Sequence, residues 1–322
     1  MRVDGYTALK NTLKVKPMNR HPDKEDAVRS HDGLLFPSVK PGFSLTPGSR
    51  IFTIGSCFAR NIEAVLSNNY ELPTADYSVP KSEWAFAANG ILNEYNPACI
   101  SQRLIWAANK TDTSAQPETL SGSKDEYVDL LLAAGNAVTL ERALERRREL
   151  DQLYSQISSS ELLVITLGLN ECWYDENEKC YLNRNPPPHV VRSNSERYRF
   201  EQLSVDTCYS LMEKGLAAIL DAGVKNIMLT VSPVPLQTSF SGQDCVSANS
   251  YSKATMRCVA EKLRVRFEGV LDYFPSYEIV TSGGLSSFQD DHVHVKPEVV
   301  EKAIQYLLHR YEPESDELQQ AG

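Results

Sequence analysis

The sequence predicts an α/β fold in which a mainly parallel sheet carries helices on both faces. Three short apolar runs of the kind a central parallel strand needs, at residues 51–54, 162–167 and 226–232, predict it, together with the helical periodicity that separates them. In such a sheet the functional site belongs at the carboxyl ends of the strands. With 322 residues and 42% hydrophobic content the chain can hold one large domain with a substantial core, and it is read as one domain with insertions.

Residues 1–45 carry Pro, Lys, Asp and His with little periodicity, and read as an irregular arm laid over a domain spanning 46–311. In the first strand Ile51, Phe52 and Ile54 form the apolar run, and Gly55 allows a sharp turn. Phe58, Ile62, Val65 and Leu66 then recur at helical spacing, which puts Ser56 and Cys57 at a helix N-terminus. Free N–H groups and the positive end of the helix dipole favour an anion there: a thiolate, a developing alkoxide or an acyl oxyanion. Residues 70–80 read as extended or loop, and residues 83–96 end in Asn96-Pro97, a pair that favours a turn.

An insertion is expected at about 107–138, where the Thr-, Ser-, Gly- and Pro-rich stretch 111–124 reads as a solvated loop. From Thr139, a candidate N-cap, a charged helix runs to about residue 158 and feeds the second strand. Gly168-Leu169-Asn170-Glu171-Cys172-Trp173 follows at its carboxyl end. The polar segment 174–200, with Pro186, Pro187 and Pro188, reads as a second insertion, an excursion or lid. Ser204 caps a helix that reaches Ala222 and stops at Gly223; the third strand is ended by Pro233 and Pro235; residues 249–267 form another helix closed by Gly269. Residues 271–280 are partly extended, and Pro297 opens a last helix to about Tyr311. The acidic, polar tail 312–322 is expected to be disordered.

Charge and composition narrow the function. Lys plus Arg number 33 against 42 Asp plus Glu, a net charge of -9, and the one basic tract, Arg146-Arg147-Arg148, lies inside an alternately charged helix. Nucleic acid is therefore not expected as a partner. The longest apolar runs fall short of the ~20 residues that span a bilayer, and no apolar segment marks the N-terminus as a secretion signal, so neither a membrane partner nor export is expected. Seven scattered cysteines without a CxxC pair suit a reduced, cytoplasmic protein with no structural zinc and no cofactor. Oligomeric state is left open.

The loop before the last helix holds Asp290, Asp291, His292 and His294. Asp291 stands three residues ahead of His294, a spacing that can set a carboxylate against the far ring nitrogen. The acid would then fix the tautomer and stabilise imidazolium while the ring moves a proton between nucleophile and leaving group. The local competitor, a metal held by Asp290, His292 and His294, lacks a further ligand, and no metal is expected. After the second strand, Asn170 offers an amide that could donate to an oxyanion or could simply satisfy a turn. Glu171 and Trp173 could orient loops, contact substrate or, for Trp173, pack.

Together these stretches resemble a known family. Gly-Ser-Cys-Phe-Ala at 55–59 looks like the signature of the GSCFA family, a group similar to SGNH-type esterases and acyltransferases. Further blocks follow in order: Tyr95-Asn96-Pro97, Thr166 to Leu169 with Glu171 and Trp173, Val231 to Pro235, Asn249 to Lys253, Tyr273 to Tyr277 and Asp291 to His294. The resemblance covers about residues 40–310. It implies a three-layer α/β/α sandwich with a flavodoxin-like sheet, a nucleophile after the first strand, an Asn in a Gly-x-Asn block, here Gly168 and Asn170, and a His preceded by Asp near the C-terminus. SGNH enzymes usually read Gly-Asp-Ser, so counting from Gly55 lands on Cys57, while hydrolase precedent favours Ser56. Both assignments stand, as a thiol nucleophile at Cys57 or a hydroxyl at Ser56 beside a buried cysteine. Gly90 and Asn96 lie where such enzymes keep another oxyanion donor.

The resemblance thus implies an acyl-transfer enzyme, an esterase or O-acyltransferase acting on a small acyl ester or acylated sugar. The rival is a non-catalytic glycan- or partner-binding protein that keeps the fold.

Overall fold

The computed structural model describes residues 2–13, 19–86 and 89–313. Its centre is a four-stranded, all-parallel sheet of β1 (Ile51–Gly55), β2 (Leu162–Leu167), β6 (Ile227–Val231) and β7 (Leu271–Tyr273), in the order β1-β2-β6-β7. Between β2 and β6 lie β3 (Glu171–Asp175), β4 (Cys180–Leu182) and β5 (Tyr198–Gln202), which form a separate antiparallel sheet. Every residue of β1, β2 and β6 is buried, which is why these strands read as unbroken apolar runs rather than alternating ones.

Strand periodicity sorts the side chains onto two faces. Phe52, Ile54, Leu163, Ile165, Ile227 and Leu229 enter one core cluster, and Ile51, Leu162, Val164 and Met228 enter the other. The first face is covered by α2 (Pro97–Asn109), α3 (Leu140–Tyr154), α4 (Val205–Asp221) and α5 (Cys245–Arg266). The second is covered by α1 (Cys57–Leu66), α6 (Ser276–Ser282) and α7 (Pro297–Tyr311). The expected three-layer α/β/α arrangement is thus present. The outer edge of β1 is closed by two parallel bridges, Arg50 to Glu71 and Gly55 to Asn93. Register sets Gly55 opposite Thr166, and Thr166 opposite Thr230, so three strands end level and Ser56, Gly168 and Ser232 emerge along one rim.

Several expectations need correction. Asn96-Pro97 begins a helix rather than a turn: Asn96 Oδ1 accepts from Cys99 N at 2.9 Å and Pro97 fills the first helical position, where no N–H is needed. The stretch 111–124 is no solvated loop. Two 3-10 turns and a hairpin, Leu120–Ser123 with Glu126–Asp129, are fastened to α3 by the fully buried Arg147. Its guanidinium grips Asp129 at 2.9 and 2.7 Å and donates to the Thr113 and Gln116 carbonyls and the Thr119 hydroxyl. Arg146 is buried as well and pairs with Glu83 at 3.1 Å. Two of the three arginines of this tract are thus internal clamps, while Arg148 is exposed. The segment 174–200, by contrast, lies outside the central sheet, and parts of it pair in the antiparallel sheet, order β4-β3-β5, beside one short helix, Pro188–Ser193.

The N-terminal arm contributes to the core, with Leu34, Phe36, Val39 and Leu45 buried against α7 and its neighbours. Leu45 N donates to Tyr311 O at 2.7 Å. Of the tail, 314–322 lie outside the described residues. Among the described residues no helix is long and apolar enough to cross a membrane.

Removing one member of a buried, hydrogen-bonded ion pair strands the other. Arg147→Met, which keeps the volume and loses the charge, is expected to destabilise the protein by about 3–5 kcal/mol in urea denaturation. A change below about 1 kcal/mol, the level of an exposed ion pair, would show that the clamp does not hold the insertion.

Candidate active site

The rim where β1 and β2 end depends on two glycines. Gly55 has φ 135°, and a Cβ there would fall on the Thr166 carbonyl oxygen. A Cβ on Gly168 would lie 2.5 Å from Tyr95 O and 3.2 Å from Ser56 Cβ. Without side chains at these positions the two strand ends and the segment before α2 touch backbone to backbone, with Leu169 N donating to Tyr95 O at 2.9 Å and Glu94 N to Gly55 O at 2.7 Å. Above them opens a cavity of about 700 Å³ whose walls include Ser56, Cys57, Tyr95, Asn96, Gly168, Glu171, Trp173 and His294.

The structure treats the two nucleophile candidates differently. Ser56 is 2% exposed, and its Oγ is the N-cap of α1, accepting from Phe58 N at 3.3 Å and lying 3.2 Å from Thr166 Oγ1. Cys57, the first residue of α1, is partly exposed in the same wall. Burial pushes its thiol up, while the charge of Lys253 and the N–H groups of Cys57 and Phe58 pull it down.

His294 stands at the cavity rim with its side chain 54% exposed. Its Nδ1 lies 2.5 Å from Asp291 Oδ2, and Asp291 Oδ1 accepts from the backbone of Val293 and His294, each at 2.9 Å. This grip assigns the ring proton to Nδ1 and leaves Nε2 for exchange. The His294 ring first, then the two N–H groups, hold the Asp291 carboxyl down to about 2. A carboxyl depressed in the folded state favours that state above its ordinary value, near 4, and loses this contribution as pH falls toward 2.

Asn96 lines the cavity; its Oδ1 is taken by Cys99 N, so its amide nitrogen is the group that can donate. The expectation for Asn170 is corrected. It is fully buried, its Nδ2 donates to Leu203 O at 2.9 Å, its backbone N donates to Ser252 Oγ at 3.0 Å, and it is not part of the cavity wall. Its amide joins the end of β2 to the segment before α4. Glu171 takes the loop-orienting role: Oε1 accepts from Ser239 Oγ at 2.5 Å and Oε2 from Phe240 N at 3.0 Å. That loop carries Phe240, which meets Trp173 edge-on at 5.5 Å, while Phe200 closes the trio 5.8 Å from Trp173. Trp173 is therefore both packing and cavity wall. Among the described residues no three His, Cys, Asp or Glu side chains converge as a metal site would require.

Sequence reading gave no role to Lys253. This residue of α5 is 2% exposed, and its Nζ donates to Gly168 O at 2.7 Å. Burial pulls its ammonium down to about 7, with Cys57 opposing. A signal was present: Lys253 shares a helical stripe with Met256 and Ala260, both fully buried, so a lysine lies on an inward face.

The model of the GSCFA family matches residues 50–307. No curated protein matches the chain. Among solved structures it is similar to a mutant of Axe2, an acetyl-xylooligosaccharide esterase from Geobacillus, at 14% identity and a TM-score of 0.35 over 84% of this chain and 98% of that one. A catalytic mutant of Axe2, described as an acetylxylan esterase from Geobacillus stearothermophilus, gives 14% identity and 0.32 over 84% and 96%.

The hold of His294 on Asp291 is measurable by carbon NMR of the carboxyl group. The Asp291 midpoint is expected at about 2 in the native protein and higher in His294→Ala, which keeps the two backbone N–H bonds and loses the ring. Equal midpoints in the two proteins would show that the ring does not grip the acid in solution.

Proposed function

We propose, from a chain that belongs to the GSCFA family, an acyl-transfer enzyme in which Cys57 is the nucleophile and His294, oriented by Asp291, is its base. The observation that carries this reading is that a partly exposed thiol at a helix N-terminus and a carboxylate-held imidazole line one cavity. His294 Nε2 takes the Cys57 proton, and the sulfur attacks the acyl carbon, so that an S–C bond forms and the carbonyl π pair moves to oxygen. The Cys57 N–H, at the first position of α1, and the Asn96 amide are the donors for that oxyanion. Collapse breaks the ester C–O bond, and the alcohol leaves with the proton from His294. A second hydroxyl then gives His294 its proton and takes the acyl group, which frees the thiol. If that hydroxyl belongs to water the enzyme is an esterase; if it belongs to a sugar or another alcohol, an O-acyltransferase.

Cys57 is preferred to Ser56 because the Ser56 hydroxyl is committed to the cap and buried. The aromatic wall of Trp173, Phe200 and Phe240 suits the apolar face of a sugar ring or an acyl chain. A small acyl ester or acylated carbohydrate is accordingly the proposed partner, and the cytoplasm the proposed compartment.

Release of p-nitrophenol from short acyl esters tests the roles. Cys57→Ala is expected to abolish turnover, His294→Ala to slow it by about 10²–10⁴-fold, and Ser56→Ala to act mainly on stability, by about 1 kcal/mol through the lost cap. Peptide mapping after an acyl or fluorophosphonate probe should find the label on Cys57. Label on Ser56 would reverse the nucleophile. No label, with no turnover of esters, thioesters or acylated sugars, would leave the glycan- or partner-binding reading in its place.

A further inference from the structure

The protein neutralises its buried cations with carboxylates. Arg103 meets Glu94 at 3.0 Å, Arg146 meets Glu83 at 3.1 Å, Arg147 meets Asp129 at 2.7 Å and Arg60 meets Glu63 at 2.9 Å. Lys253 breaks this pattern. It is as deeply buried, yet among the described residues it has no ion pair with an acid, and its one hydrogen bond goes to the Gly168 carbonyl, directly behind the cavity wall that holds Cys57. A buried ammonium without an anion is costly, and such a group is retained where an anion comes and goes.

We propose that Lys253 is a positioning residue of this site whose ammonium, fixed on the Gly168 carbonyl, is the counter-ion of Cys57 when the thiol is ionised. The inference rests on Cys57 being the nucleophile. Lys253 gives no proton to the reaction; the thiol proton goes to His294, and the sulfur pair forms the bond to the acyl carbon. What Lys253 contributes is Coulomb energy in a water-poor place, where opposite charges attract far more strongly than in solvent. The other groups around the thiol do not replace it. Arg60, which adds a smaller downward pull on the thiol, is bound to Glu63, Arg184 of the same cavity donates to the Gly135 carbonyl at 3.1 Å, the Glu171 carboxylate is filled by Ser239 and Phe240, the Tyr95 hydroxyl accepts from Asn93 at 3.2 Å, and His294 with Asp291 sits half-exposed at the rim. The pair is coupled: the thiolate holds the proton on Lys253, and that proton holds the thiolate.

Alkylation by iodoacetamide reads the thiolate without any substrate, so it separates this inference from the proposed activity. Cys57 is followed by peptide mapping, which resolves it from the exposed Cys258. In Lys253→Gln, which can still donate to Gly168 O, Cys57 should react on the order of tenfold more slowly at neutral pH, with its pH profile about one unit higher. Lys253→Arg, which keeps the charge, should recover most of the rate. A wild-type rate and profile in Lys253→Gln overturns the proposal, whether or not esters are hydrolysed. If the glutamine variant does not fold, reciprocity supplies the second measurement: the Lys253 Cε resonance should titrate lower in Cys57→Ala than in the native protein. An unmoved titration overturns the proposal equally. Coupling without ester turnover would instead count against the enzyme reading alone.

Discussion

Where β1 and β2 end, three stretches of backbone approach more closely than side chains permit. Gly55 lies on the Thr166 carbonyl, and Gly168 fits between Tyr95 O and Ser56 Cβ with no room for a further carbon. The position of each candidate reacting group follows from that approach. It aims the first turn of α1 across the end of β2, and it brings the segment carrying Tyr95 and Asn96 alongside. It also turns the Gly168 carbonyl back toward α5, where Lys253 meets it. A larger residue at either glycine would collide with this backbone and displace the wall that holds Ser56 and Cys57.

The charges at this rim are arranged differently from those in the rest of the interior. Elsewhere a buried guanidinium is matched with an acid and serves to lock an insertion or a helix to the sheet, as Arg147 does with Asp129. Burial raises the Glu94 carboxyl to about 7 even though it is paired with Arg103. Around Cys57 the matching is incomplete: Lys253 has no acid partner among the described residues, and Asp291 is engaged with the imidazole of His294. Stability alone favours a filled pattern, and an unfilled one is characteristic of a place where charge appears during turnover.

How much of this was legible in the sequence follows from how local each determinant is. The central strands were readable because burial on both faces leaves an unbroken apolar run, and Thr139 and Ser204 were readable as caps because the side chain bonds within its own first turn. The ordered insertion was not, because its clamp, Arg147, reaches Thr113, Thr119 and Asp129 across the hairpin, and nothing in an alternately charged helix says which arginine turns inward. Asn170 misled for a related reason. The pattern after β2 fixes where the turn is and leaves open which side chain enters the cavity, and Leu203 claimed the amide. Asn96 was found in the right part of the chain, although its role in starting α2 was hidden behind the turn preference of Asn-Pro.

The choice of thiol over hydroxyl fits the physical setting of His294. A serine hydroxyl is a poor nucleophile until a base draws its proton, so a serine enzyme depends on an imidazole and carboxylate shielded from water. Here that pair is half-exposed, where solvent screens its charges. A thiol ionises far more readily and needs less from the base, provided the resulting charge is stabilised where it forms. In the proposed scheme the charge of Lys253 and the N–H groups of Cys57 and Phe58, which pull the thiol down, supply that stabilisation. Ser56, one residue earlier, is buried, and its oxygen caps α1 by accepting from Phe58 N at 3.3 Å.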